Sequence, residues 1–143
     1  METQKTIDGY TIHVQVDEWA LSPRKEEDHL GVMCLTAKRY DLPWENKRVD
    51  PNYPTFEVPD EDNPDFLRTE DCGTWDDIEL ALRQSCGEDE IIAILPVFML
   101  DHSGQRLAVP DPIRDFGRLD PFRHYYMGWD SFQVGFIYTT RER

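Results

Sequence analysis

Apolar and polar side chains alternate from Tyr10 to Asp17, with Tyr10, Ile12, Val14 and Val16 set against Thr11, His13, Gln15 and Asp17. A period of two over this length predicts a strand with one buried and one wet face, and puts His13 on the wet one. Ser22-Pro23 ends the pattern, and the charged run from Arg24 to His29 reads as a turn or loop. From Gly31 to Lys38 the chain is apolar at both parities, Val32 and Cys34 on one side, Met33 and Leu35 on the other. That predicts a strand covered on both faces or central in a sheet. No periodicity survives between Tyr40 and Gly73, where five of the ten prolines fall. A long irregular loop over 40–73 is expected, pinned to the core by Trp44, Tyr53, Phe56 and Phe66.

Thr74 to Cys86 carries the helical pattern, with Ile78, Ala81, Leu82 and Cys86 on one face. Thr74 is placed to cap it, Asp76 and Asp77 sit at the positive end of its dipole, and Arg83 lies near the negative end. Gly87 is placed to take the left-handed position after the last turn. Ile91 to Leu100 is a dry, β-branched run and reads as the most buried strand, with Pro96 forcing a bulge, a bend or an edge. Asp101-His102-Ser103-Gly104 has turn chemistry, and Arg106 to Val109 returns as its hairpin partner. Asp120-Pro121 to Met127-Gly128 predicts a short helix. Val134, Phe136 and Tyr138 alternate with Gly135, Ile137 and Thr139 in a last strand. The sum is an α+β fold in one domain over 1–143: a mostly antiparallel sheet of about five strands, one main helix over 74–86, and a long acidic Pro-rich loop.

Charge changes the picture more than composition does. The chain has 143 residues, 39% of them apolar, enough for one core. Its net charge is −14, from 29 acids and 15 Lys and Arg. That disfavours direct binding to nucleic acid and to anionic membranes, because a phosphate surface is met with Lys and Arg. The acid is concentrated. Glu57, Asp60, Glu61, Asp62, Asp65, Glu70, Asp71, Asp76 and Asp77 lie in one segment with a single base, Arg68, for a local charge of −8. Such a segment is either a solvated loop that keeps the protein soluble or a face that meets a basic partner. A face of the second kind would imitate a phosphate track if its carboxylates were held on a rigid surface.

From Ile113 onward the balance is +1, and Arg114, Arg118 and Arg123 interleave with Phe116, Phe122, Tyr125 and Tyr126. Arginine and aromatic side chains anchor protein interfaces. The blander reading buries the aromatics and pairs the arginines with the acidic segment. No catalytic signature stands out. Adjacent Asp101, His102 and Ser103 do not make a triad, whose members come from separate segments. No G-x-S-x-G elbow, glycine-rich phosphate loop or paired His/Cys spacing occurs. A metal site built from Asp101, His102, His124 and Asp130 is the weaker alternative, and no cofactor is expected. Cys34, Cys72 and Cys86 read as reduced thiols, a Cys72–Cys86 bridge being the alternative. The polar opening from Met1 to Asp8 has no secretory core, and the longest apolar run is half a membrane span, so a cytoplasmic protein is expected.

Three groups of residues together resemble a known family. Ser22-Pro23-Arg24, Asp28 to Cys34 and Lys38-Arg39-Tyr40-Asp41-Leu42 are followed by Ile94-Leu95-Pro96-Val97-Phe98-Met99-Leu100-Asp101-His102-Ser103-Gly104, and then by Trp129-Asp130-Ser131 and Gln133 to Tyr138. Their order and spacing resemble a family of uncharacterised bacteriophage and mobile-element proteins. The chain departs from that pattern at Phe132, where a glycine is usual, and in its long Arg/aromatic connection over 105–128. The resemblance implies a mobile-element context in a host cell and no established activity. At the shared positions Pro96 would shape the buried strand, Asp101 and Gly104 the turn, Trp129 and Asp130 the start of the last strand, and Gln133 would bond a loop backbone. Pro96, Asp101, His102, Ser103, Gly104, Trp129, Asp130, Ser131 and Gln133 are therefore either scaffold or a shared site. The leading expectation is a non-enzymatic, acidic protein that binds a host or phage protein with a basic nucleic-acid-binding surface, as an inhibitor of a nucleic-acid-targeting defence system. A small enzyme centred on Asp101, His102 and Asp130, and a phage structural or assembly protein, are the alternatives. The oligomeric state is left open.

Overall fold

The computed structural model describes residues 2–16, 18–19, 31–115, 117–123 and 129–142. Within them the fold is α+β: antiparallel strands with one helix. The strands are β1 (Glu2–Ile7), β2 (Tyr10–Gln15), β3 (Val32–Leu35), β4 (Thr55–Pro59), β5 (Leu67–Asp71), β6 (Ile91–Asp101), β7 (Gln105–Ala108) and β8 (Ser131–Thr140), and the helix is α1 (Trp75–Cys86). Eight strands therefore stand where about five were expected.

The extra strands come from two hairpins hidden in polar sequence. Among the described residues β1 pairs only with β2, through Asp8 (φ 50°) and Gly9 (φ 82°), the Asp-Gly pair that a two-residue turn favours. β2 is thus not half-buried. Tyr10, Ile12, Val14 and Val16 share one face with Ile7 and are all exposed. The second hairpin, β4–β5, lies inside the segment expected to be irregular. Its alternation is short: Phe56 is buried and Val58 half-buried, with Thr55 and Glu57 exposed between them. Pro54 and Pro59 bracket the strand rather than interrupt it, the positions where a missing N–H costs least. The Gln84 side chain of α1 continues the ladder on β4, accepting from Glu57 N and donating to Glu57 O, both at 2.8 Å.

The main sheet has the order β3-β8-β6-β7. β3 is at an edge, not central, and is covered there by the following chain: Leu35 N donates to Pro43 O and Glu45 N to Met33 O, both at 2.9 Å. One face of the sheet packs Cys34, Phe136, Tyr138 and Ile91 against Ala81 and Leu82 of α1, with Phe56 and Val49. The other gathers Leu35, Val97, Met99 and Val134, with Tyr40 and Leu42 partly buried against them. Leu82 is fully buried, and a leucine so placed contributes about 1.5–3 kcal/mol.

Val134 does not share a face with Phe136 and Tyr138, as strict alternation would require. The β6–β8 register shifts between Val97/Gly135 and Phe98/Gln133, so one residue of β8 is extra and parity reverses there. Gly135 (φ 155°) makes this possible. The helix starts as its sequence predicts: Asp77 N donates to Thr74 Oγ1 while the Asp77 carboxylate accepts from Thr74 N and Gly73 N. Gly87 has a positive φ (101°) but an extended ψ (153°), so the helix does not end in a left-handed turn. The short helix expected over 120–128 begins as a turn at Pro121–Arg123, and the rest of it lies outside the described residues.

Candidate functional site

The nine acids of the charged segment divide by what they already hold. Asp77 is used by the helix cap. The Asp60 carboxylate accepts from Asp62 N (2.9 Å) and Asn63 N (3.2 Å) and forms the β4–β5 turn. Glu61 and Glu70 share Arg68, at 3.3 Å and 2.6 Å. Glu57, Asp62, Asp65, Asp71 and Asp76 are exposed, and their side chains make no hydrogen bond or ion pair among the described residues. Phe66 and Leu67 stand out between them, 65% and 64% exposed. The hairpin therefore carries four of these carboxylates, Glu57, Asp62, Asp65 and Asp71, with Phe66 and Leu67 exposed at its turn, and Asp76 lies in α1. Its backbone is fixed by the β4–β5 ladder, by Gln84 and by buried Phe56.

The Arg/aromatic stretch does not neutralise this face. Asp115 is fully enclosed, and its carboxylate accepts from Arg114 Nε (3.2 Å) and Nη2 (3.3 Å), from Arg123 Nη1, and from Asp111 N (2.8 Å). The Arg114 and then the Arg123 hydrogen bonds hold this carboxyl far below the usual carboxylate range. Two of the three arginines, Arg114 and Arg123, are therefore held by a carboxylate of their own segment. Arg118 is exposed and lines a cleft of about 230 Å³ that also touches Asp76 and Glu79. Phe122 is half-buried. Phe116, Tyr125 and Tyr126 lie outside the described residues.

The motif residues gather where the β6–β7 turn meets the start of β8. Asp101 pairs with Gln105 across the turn, Ser103 (φ 53°) and Gly104 (φ 128°) supply its reversal, and His102 N donates to Gly104 O. Asp101 N donates to Asp130 O, and His102 Nδ1 and Asp130 Oδ2 are 2.8 Å apart. Asp101 faces elsewhere: its Oδ2 accepts from the Tyr40 hydroxyl at 2.7 Å, and Gln105 Nε2 lies 3.4 Å from Oδ1. The Tyr40 hydrogen bond lowers the Asp101 pKa, and the same bond raises that of Tyr40. Ser131 Oγ donates to Asp120 Oδ2 at 2.6 Å. Two positions depart from the scaffold expectation. Trp129 is 84% exposed and is not part of the core. Gln133 Nε2 donates to Gly135 O of its own strand at 3.2 Å, not to a loop.

Chemically, His102 is oriented by a carboxylate, as a general base would be, but by Asp130 rather than its neighbour Asp101. Among the described residues, no group of three or more His, Cys, Asp and Glu side chains is close enough to hold a metal ion. His124, a member of the weighed metal set, lies outside them. The three cysteines are free thiols, and burial pushes that of Cys34 up to about 11. No described helix is long and apolar enough to cross a membrane.

Several organising residues escape a reading of the sequence. Buried Asn46 donates to Ser85 Oγ (2.8 Å) and to the Tyr138 hydroxyl (2.9 Å), and its Oδ1 accepts from Arg48 N and Val49 N. It ties the 44–49 segment to the end of α1 and to β8. A single asparagine among prolines carries no pattern that would announce this. Asp115 and Tyr40 are equally silent, because their partners are set by folding. No protein-family model matches the chain, and no curated protein or solved structure matches it either.

Proposed function

We propose that the chain is an acidic protein of the bacteriophage and mobile-element kind that acts by binding another protein, and that its partner is a nucleic-acid-handling component of a host defence system, engaged on its basic groove. The carrying observation is the uncompensated acid of the β4–β5 hairpin. Among the described residues four carboxylates of this hairpin, Glu57 and Asp71 in its strands and Asp62 and Asp65 in its loop, make no hydrogen bond or ion pair, while Arg68 is already held by Glu61 and Glu70, and Arg114 and Arg123 by Asp115. A basic groove gains from such a face what it gains from phosphate, namely charge neutralisation with release of counterions. Phe66 and Leu67 supply the desolvated contact that charge alone lacks.

The test is capture of partners from host lysate at about 0.05 M and about 0.5 M salt, where screening lengths are roughly 14 Å and 4 Å. Wild-type protein is compared with a variant carrying Glu57→Lys, Asp62→Lys, Asp65→Lys and Asp71→Lys. These four positions hold no described partner, so the circular-dichroism spectrum stays that of the wild type. The expected result is a nucleic-acid-binding protein retained at low salt, shed at high salt and lost with the variant. A partner held equally by both proteins at both salts refutes the reading.

A further inference from the structure

A second surface feature uses none of the acidic face. At the end of the main sheet a cleft of about 360 Å³ opens between the turn after β3, Asp101 at the end of β6 and Phe132 in β8. Its volume is in the range of small-molecule sites, about 300–1,000 Å³. The turn is closed by the Ala37–Tyr40 bridge, and Tyr40 packs on the cluster of Leu35, Val97, Met99 and Val134. The Tyr40 hydroxyl is fixed in turn by Asp101 and Gln105. The walls are therefore preformed.

Three chemistries converge there. Phe132, 41% exposed, presents a ring to the cleft beside Ala37, which suits a flat aromatic partner. Lys38 and Arg39 line it side by side, and among the described residues neither makes a hydrogen bond or an ion pair. In a chain of net charge −14, two adjacent cations on one cleft are conspicuous, and together they match a doubly charged phosphate better than a single carboxylate; the charge of Arg39 also favours the ionised Asp101. Asp101 is the third element. An ionised carboxylate has about four acceptor positions, and Tyr40 and Gln105 occupy two, so two remain for N–H donors.

An aromatic ring, N–H donors and a phosphate dianion occur together in one small molecule. We infer that this cleft binds a nucleoside monophosphate, with its base on Phe132, base N–H groups on Asp101, and its phosphate on Lys38 and Arg39. The cleft shares no residue with the acidic segment, so this site stands or falls apart from the partner-binding reading.

Isothermal titration of the full chain with AMP, GMP, CMP and UMP tests it. At least one should give saturable one-to-one binding below about 1 mM. The matching nucleoside should bind at least about tenfold more weakly, as should the nucleotide to the Lys38→Ala/Arg39→Ala protein, that being the loss of a charge-assisted contact. Both substituted side chains are exposed, so the fold is retained. Phe132→Ala should weaken nucleotide and nucleoside alike. The inference is overturned by any of three results: no heat from all four nucleotides at about 10 mM, binding that survives the double substitution, or equal binding of nucleoside and nucleotide. Saturable binding of free tryptophan with none of the four nucleotides would overturn it as well.

Discussion

Asp115 is the most completely buried charged residue among those described. Its carboxylate is enclosed, and two guanidinium groups and one backbone N–H satisfy it. In the unfolded chain the same group titrates near 4. Folding lowers its pKa, so between the two values the native state is ionised while the unfolded state is protonated. The unfolded state then binds more protons, and stability rises with pH. The contribution of Asp115 is thus fully present above about pH 4 and is lost as pH falls toward the folded value. Asp101 and Asp111, both lowered by hydrogen bonds, act in the same direction. Asp115→Asn keeps the shape but leaves Arg114 and Arg123 facing a neutral amide. We expect lower stability at pH 7 and a shallower loss of stability below about pH 4, read from urea midpoints at several pH values. Parallel profiles for the two proteins would show that Asp115 contributes nothing through its charge.

At the scale of elements, the join between β3 and β8 depends on one missing side chain. A Cβ on Gly135 would lie 1.9 Å from Cys34 O, an atom of the paired strand's own backbone. No rotamer relieves that contact, and the φ of 155° disfavours a side chain independently. Gly135→Ala should therefore destabilise the protein by about 3 kcal/mol or more. Retention of the wild-type melting temperature would mean that β3 does not pair at this register. The same bulge shows why β8 was legible as a strand while its faces were not: the period-two pattern over Val134, Phe136 and Tyr138 is blind to an inserted residue. The helix was legible to its cap, because Thr74 and Asp77 act within one turn. β6, β7 and their turn were legible as well, since their signals are local. The β4–β5 hairpin was obscured by prolines at its ends and by acids on its wet face. β1 was obscured by being polar at nearly every position. Of the candidate sites, the acidic segment was legible as composition, but which carboxylates it leaves free was not, because Glu61 and Glu70 meet Arg68 only once β4 and β5 are paired.

At the scale of the whole molecule, charge and fold are separable. A net charge of −14 on 143 residues repels itself, and the cost is greatest where acids crowd. Among the described residues the Glu57, Asp62, Asp65 and Asp71 side chains make no hydrogen bond or ion pair, so their mutual repulsion opposes folding. Neutralising them as Glu57→Gln, Asp62→Asn, Asp65→Asn and Asp71→Asn brings the net charge from −14 to −10, one unit for each of four acids. The melting temperature of that variant should match or exceed the wild type's, and should rise less on going from low to high salt, because less repulsion is left to screen. Binding of a basic partner should weaken chiefly through slower association, since long-range attraction steers the encounter. Calorimetry across salt concentrations, with association rates measured on the same two proteins, separates the two effects. A variant that melts lower than wild type would show that these carboxylates hold the fold, and the acidic face would then be structure rather than a surface kept for a partner.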